Sequence, residues 1–212
     1  MMNFYKPNHR NTSGKHSKSL NKEDSLMSSN TLNKRSNTND QNEKNNSNIT
    51  AIVGNWIGTI GTIISAIGST PSTIFTEQTL EDFNLIGNIL EAGGSAIVAE
   101  TEDSLLNEVG GQIAAIGNLA VVAGILSKNE QTSQLLEKQG DLLQLVGIGI
   151  TIDTRGNLTL SETIANTGLI IQVIGITIEI FADTETDEGK VMGAVGAWLQ
   201  AIGAVITTLA TE

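Results

Sequence analysis

The chain has 212 residues, with 12 Lys or Arg against 23 Asp or Glu, a formal net charge of −11 and no cysteine. The absence of cysteine excludes a disulfide framework and any thiol site. The acidic balance repels a phosphate backbone, so no specific nucleic-acid partner is expected.

The first 50 residues are rich in Asn, Ser, Lys and Thr and carry 8 basic against 4 acidic residues, a charge of +4. The remainder carries 4 basic against 19 acidic, a charge of −15. So polar a stretch buries too little surface to offset its ordering entropy, and a disordered tail is expected over residues 1–48. A helical repeat domain follows over 49–212, long enough for a core. The opening Met1-Met2-Asn3-Phe4-Tyr5-Lys6-Pro7 has no apolar run of signal-peptide type, which points to the cytoplasm.

Six segments of the body align on two glycines seven residues apart. They are Gly54 with Gly61, Gly87 with Gly94, Gly110 with Gly117, Gly140 with Gly147, Gly168 with Gly175, and Gly196 with Gly203. The first glycines stand 33, 23, 30, 28 and 28 residues apart, a period that suits one helix and one loop per unit. Three residues after the first glycine stand Ile57, Leu90, Ile113, Leu143, Ile171 and Leu199. Ten after it stand Ile64, Ile97, Ala120, Ile150, Ile178 and Ile206. Spacings of three, four and seven are helical. A strand is most credible over Val146–Asp153, where isoleucine alternates.

Boundaries fit the same pattern. Gly68-Ser-Thr-Pro71 ends the first helix, because proline forbids its continuation. Thr79 with Asp82 marks the start of the second, and Thr159 with Glu162 has capping-box spacing before the fifth. Asp153-Thr-Arg-Gly-Asn157 and Asp183–Gly189 read as loops. Short links between such helices make antiparallel neighbours.

A glycine inside a helix costs about 1 kcal/mol relative to alanine, so its recurrence at one register implies a purpose. Residues seven apart on a helix are offset by about 20°. Each glycine pair therefore forms a smooth stripe that lets another backbone approach. On a helical wheel the large residues two, three, six and ten after the first glycine centre on one face, the expected core. Four after it stand Gly58, Glu91, Ala114, Gln144, Gln172 and Gln200, roughly opposite and hence expected outside. The glycine stripe lies on the flank between, where sequential helices touch. Trp56 and Trp198 share a position in the first and last units. They read as large core residues, or as marks of specialised terminal units that close the bundle or cap its ends.

Residues 45–76, 109–127 and 191–211 carry no charge and are each long enough to span a bilayer. Against insertion stand Glu91, Asp141 and Glu179 within the repeats, since an intramembrane acid is costly. No Trp or Tyr girdle brackets the apolar runs, and few basic residues lie between helices to set an orientation. Gln and Asn recur opposite the expected core.

Catalytic chemistry has little to work with. His9 and His16 both lie in the tail, and the body has one arginine, Arg155, and three lysines. No positioned base accompanies its hydroxyls, so no enzyme, cofactor or small-molecule substrate is expected. Glu179, between two isoleucines, is expected to point outward. The acidic run before Gly189 departs from a calcium loop, having glycine seventh and Ala194 twelfth, and no metal site is expected.

The phrases Gly196-Ala-Trp-Leu-Gln-Ala-Ile-Gly203, Ala66-Ile-Gly-Ser-Thr-Pro71 and Leu85-Ile-Gly-Asn88 resemble an uncharacterised family of repetitive, Gly-rich helical proteins from Bacillus-type bacteria. The resemblance covers about residues 51–212 and implies a bacterial origin, but no activity or functional residues. The sequence thus predicts an all-α bundle or short α-solenoid of six antiparallel helices behind a disordered tail. The expected role is non-catalytic: a structural or interaction protein that associates with itself as a homo-oligomer. The alternative is a membrane-embedded or membrane-active, pore-type helical protein.

Overall fold

The computed structural model describes the backbone of residues 17–211 and the side chains of residues 41, 42 and 44–211. Six helices follow in order: α1 Ser17–Gly68, α2 Glu77–Ala99, α3 Leu105–Ile125, α4 Glu130–Thr151, α5 Leu160–Phe181 and α6 Asp187–Ala210. No strand occurs among the described residues. The chain divides into two compact units, Met1–Asn46 and Ser47–Glu212. The first sixteen residues of the expected tail lie outside the described residues, and the backbone from Ser17 belongs to α1.

Local signals place most helix ends. Thr159 caps α5 through the full box: its hydroxyl accepts from Glu162 N–H at 3.2 Å, and the Glu162 carboxylate accepts from Thr159 N–H at 2.7 Å. At α2 the cap is Thr76, three residues before the expected Thr79, whose own N–H donates to it at 3.2 Å. The strand alternative over Val146–Asp153 fails, because α4 continues through Thr151. Glycines and isoleucines there follow the helical period of the other units, and period outweighs β-propensity. Gly68 closes α1 without a left-handed turn, since no described glycine has positive φ. A Cβ at Gly68 would lie 2.6 Å from both Leu80 O and Asn84 N, so close approach by α2 explains it.

The helices pair as three antiparallel hairpins, α1 with α2, α3 with α4 and α5 with α6. Further packing of α2 on α3 and α4 on α5 links the hairpins. At the ends of the chain α1 meets α6, where the Thr59 and Thr208 hydroxyls lie 2.6 Å apart and Ala66 packs with Ala197 and Ala201. The ring is therefore closed, and the arrangement is a bundle rather than an open solenoid.

The interior overturns the expected wheel. Residues six after the first glycine were expected in the core, yet Ile60, Ile116, Val146, Ile174 and Ile202 are 48–56% exposed. Four after it, on the face expected outside, Glu91, Ala114, Gln144, Gln172 and Gln200 are only 4–9% exposed. The buried apolar residues are alanines apart from Val121 and Ile176. Trp198 is likewise no core residue: it is exposed and donates its indole N–H to Thr70 Oγ1 at 3.0 Å. Trp56 is half-buried. The reason is steric. Glycine at the contact fixes the rotation of each helix, and that rotation turns small and thin polar side chains inward and most branched residues outward.

Candidate functional site

The twelve repeat glycines form six reciprocal contacts across the hairpins: Gly54 with Gly94, Gly61 with Gly87, Gly110 with Gly147, Gly117 with Gly140, Gly168 with Gly203, and Gly175 with Gly196. In all six a Cβ on either glycine would stand 2.5–3.1 Å from the carbonyl oxygen of the other, where an alanine does not fit unless the helices part. Antiparallel geometry explains the register, because the first glycine of one helix meets the second of its partner. The seven-residue interval is thus set by two contact levels per hairpin.

Polar side chains bond across the hairpins beside these contacts. In α1 and α2, Ser65 and Ser69 donate to Asn84 Oδ1 at 3.0 and 3.2 Å, and Asn88 donates to Ser65 Oγ at 3.3 Å. In α5 and α6, Gln172 donates to Thr207 Oγ1 at 3.2 Å and Gln200 to Glu179 Oε1 at 2.8 Å. Glu179 therefore turns inward, contrary to expectation, because Gly196 leaves room for it: a Cβ there would stand 2.6 Å from Glu179 Cγ.

At the axis lies a cavity of about 160 Å³ with residues from all six helices in its wall. The position four after the first glycine supplies one wall residue per helix: Gly58, Glu91, Ala114, Gln144, Gln172 and Gln200. One register of the repeat thus defines an axial ring. Its signal in the sequence was the amide recurring in Gln144, Gln172 and Gln200, which was legible as a pattern but assigned to the wrong side. Asn118 also lines the cavity and is 3% exposed. Its Nδ2 donates to Ala114 O at 3.2 Å, and its Oδ1 has no hydrogen-bond partner among the described residues. Sequence reading missed it, because nothing local separates it from any other Asn on a helix.

Much of the outside of the bundle is apolar. Four helical segments, Lys44–Gly68, Leu105–Ile125, Leu160–Phe181 and Asp187–Ala210, are long and apolar enough to cross a membrane. α2 and α4 fall short, with Glu91 in the first and Glu137, Lys138 and Asp141 in the second. The acidic run before α6 makes a turn, in which Thr186 N–H donates to Asp183 O at 3.1 Å and Thr186 Oγ1 accepts from Gly189 N–H at 3.0 Å. Among the described residues no group of three or more His, Cys, Asp or Glu is placed to hold a metal ion.

A protein-family model matches residues 49–208. The chain belongs to this family of unknown function (DUF6944). The match covers all six glycine pairs and begins past the polar stretch. No curated protein and no solved structure matches the chain.

Proposed function

We propose that residues 49–208 form a membrane-embedded, pore-type helical bundle, in which branched apolar residues meet acyl chains and amides meet the axis. The observation that supports it is the inverted distribution of side chains, with Ile60, Ile116, Ile174 and Ile202 about half exposed while Glu91, Gln144, Gln172 and Gln200 are buried. In water this arrangement forgoes the main driving force of folding. In hydrocarbon it is sound, because lipid solvates the large residues while small ones let helices pack and polar ones bond across them. Helices of 21–24 residues, at about 1.5 Å per residue, match a hydrocarbon core of about 30 Å. Two objections drawn from sequence weaken: the Gln-bearing face is interior, Glu91 is buried, and Glu179 is half-buried and bonded by Gln200, which leaves Asp141, also half-buried.

The charged first half of α4, with Glu130, Glu137, Lys138 and Asp141, favours a second reading. In it the bundle stays in water as a homo-oligomer whose copies cover one another's apolar faces. Fractionation separates the two. The membrane reading expects the full chain to pellet with membranes, to resist alkaline carbonate and to need detergent for release. Recovery without detergent as a discrete oligomer in the supernatant would sink it and establish the alternative.

A further inference from the structure

The chemistry of the axial cavity is one-sided. Its carboxylate, Glu91, is 7% exposed, and Gly61 makes the space for it, since a Cβ there would stand 2.9 Å from Glu91 Cγ. A buried carboxylate needs a counter-charge or a proton. No Lys or Arg lines the cavity, and the charged groups that act most on Glu91 are Glu179 and Asp141, both acids. Among the described residues of the cavity wall, no cation balances it.

The amides bring oxygen acceptors to this space. Nδ2 of Asn118 is engaged by Ala114 O, Nε2 of Gln172 by Thr207 and Nε2 of Gln200 by Glu179, at 3.2, 3.2 and 2.8 Å. Each of these amides thus spends one of its two N–H bonds on the protein and keeps a carbonyl oxygen as an acceptor. Asn118 Oδ1 is the clearest case, being buried, on the cavity wall and without a partner among the described residues. An unpaired buried acceptor costs about 1–3 kcal/mol, so it points to an absent donor or cation.

We propose that the axial cavity is a binding site for a monovalent inorganic cation, with Glu91 as its counter-charge and Asn118 Oδ1 among its oxygen ligands. One carboxylate balances one positive charge, whereas divalent sites of the calcium type use several. A space of about 160 Å³ has room for the ion with water around it. The inference goes beyond the membrane reading and is carried by the cavity alone, so it stands or falls in detergent and in water alike.

The test uses the full chain, in whichever phase fractionation recovers it. Its thermal midpoint is followed as N-methylglucamine chloride is replaced by NaCl or KCl at constant ionic strength. A saturable rise with Na⁺ or K⁺ is expected in the wild type. It should vanish in Glu91→Gln and persist in Glu185→Gln, whose charge lies in an exposed loop. A wild-type midpoint that ignores the cation overturns the proposal without any variant and leaves Glu91 holding a proton. An undiminished rise in Glu91→Gln overturns it too.

Discussion

At Gly117 the backbone of α3 comes so near α4 that an added Cβ would stand 2.6 Å from Gly140 O and 2.8 Å from Gln144 N. Those neighbours are main chain and cannot rotate away. Gly117→Ala should therefore destabilise by about 1–3 kcal/mol despite alanine's better helix propensity. Gly149 sits in α4 with nothing within 4 Å of such a Cβ. There the same change should stabilise by about 0.4–1 kcal/mol. Thermal or denaturant unfolding of the two variants checks the contrast, and equal effects would remove the close-contact role of the repeat glycine. The loop before α5 offers a pH test. The Arg155 guanidinium and N–H bond the Asp153 carboxylate, at 2.7 and 2.9 Å, and hold its carboxyl below the usual range. A depressed folded value means the interaction is present above the ordinary Asp pKa of about 3.9 and is lost as pH falls through the lower folded value. Hydrogen exchange at Arg155 N–H should accelerate, relative to its intrinsic rate, only at the acid end.

Individual helices were readable from three kinds of local evidence: the helical period, the Thr159–Glu162 box and Pro71. Thr159→Ala should cost about 1 kcal/mol through loss of the cap, read as earlier fraying of α5 by amide exchange. The α2 start was misplaced because two threonines three residues apart, Thr76 and Thr79, compete, and only backbone geometry shows which hydroxyl meets which N–H. Pairing of elements distant in sequence was beyond local evidence. The meeting of α1 and α6 rests on Thr59 and Thr208, 149 residues apart. Replacing either by valine should cost about 0.6 kcal/mol, and at most about 1.7, as interhelical hydrogen bonds in membrane bundles do. In a double-mutant cycle the second replacement should cost less than the first, since the partner is already gone. Strict additivity would show that the ring is held shut elsewhere.

For the whole molecule, the absence of cysteine makes single-cysteine labelling clean. Antiparallel hairpins put the loop after α3 and the loop after α4 at opposite ends of the bundle. In membranes, Lys128→Cys and Asn157→Cys, both at exposed positions, should react with an impermeant maleimide from opposite sides. Labelling of both from one side would contradict a spanning bundle. The sequence by itself determined the number of units, their helical type, their antiparallel linkage and the register at which small residues recur, because each of these follows from spacing along one chain. It did not determine which face is inside. A wheel gives the angle between large, small and polar positions but no sign, and the assumption that large residues go in supplied the wrong one. Tertiary structure decided it through distance. Glycines that bring backbones together fix how each helix is rotated, which turns Glu91, Asn118 and the glutamines toward the axis and most isoleucines outward.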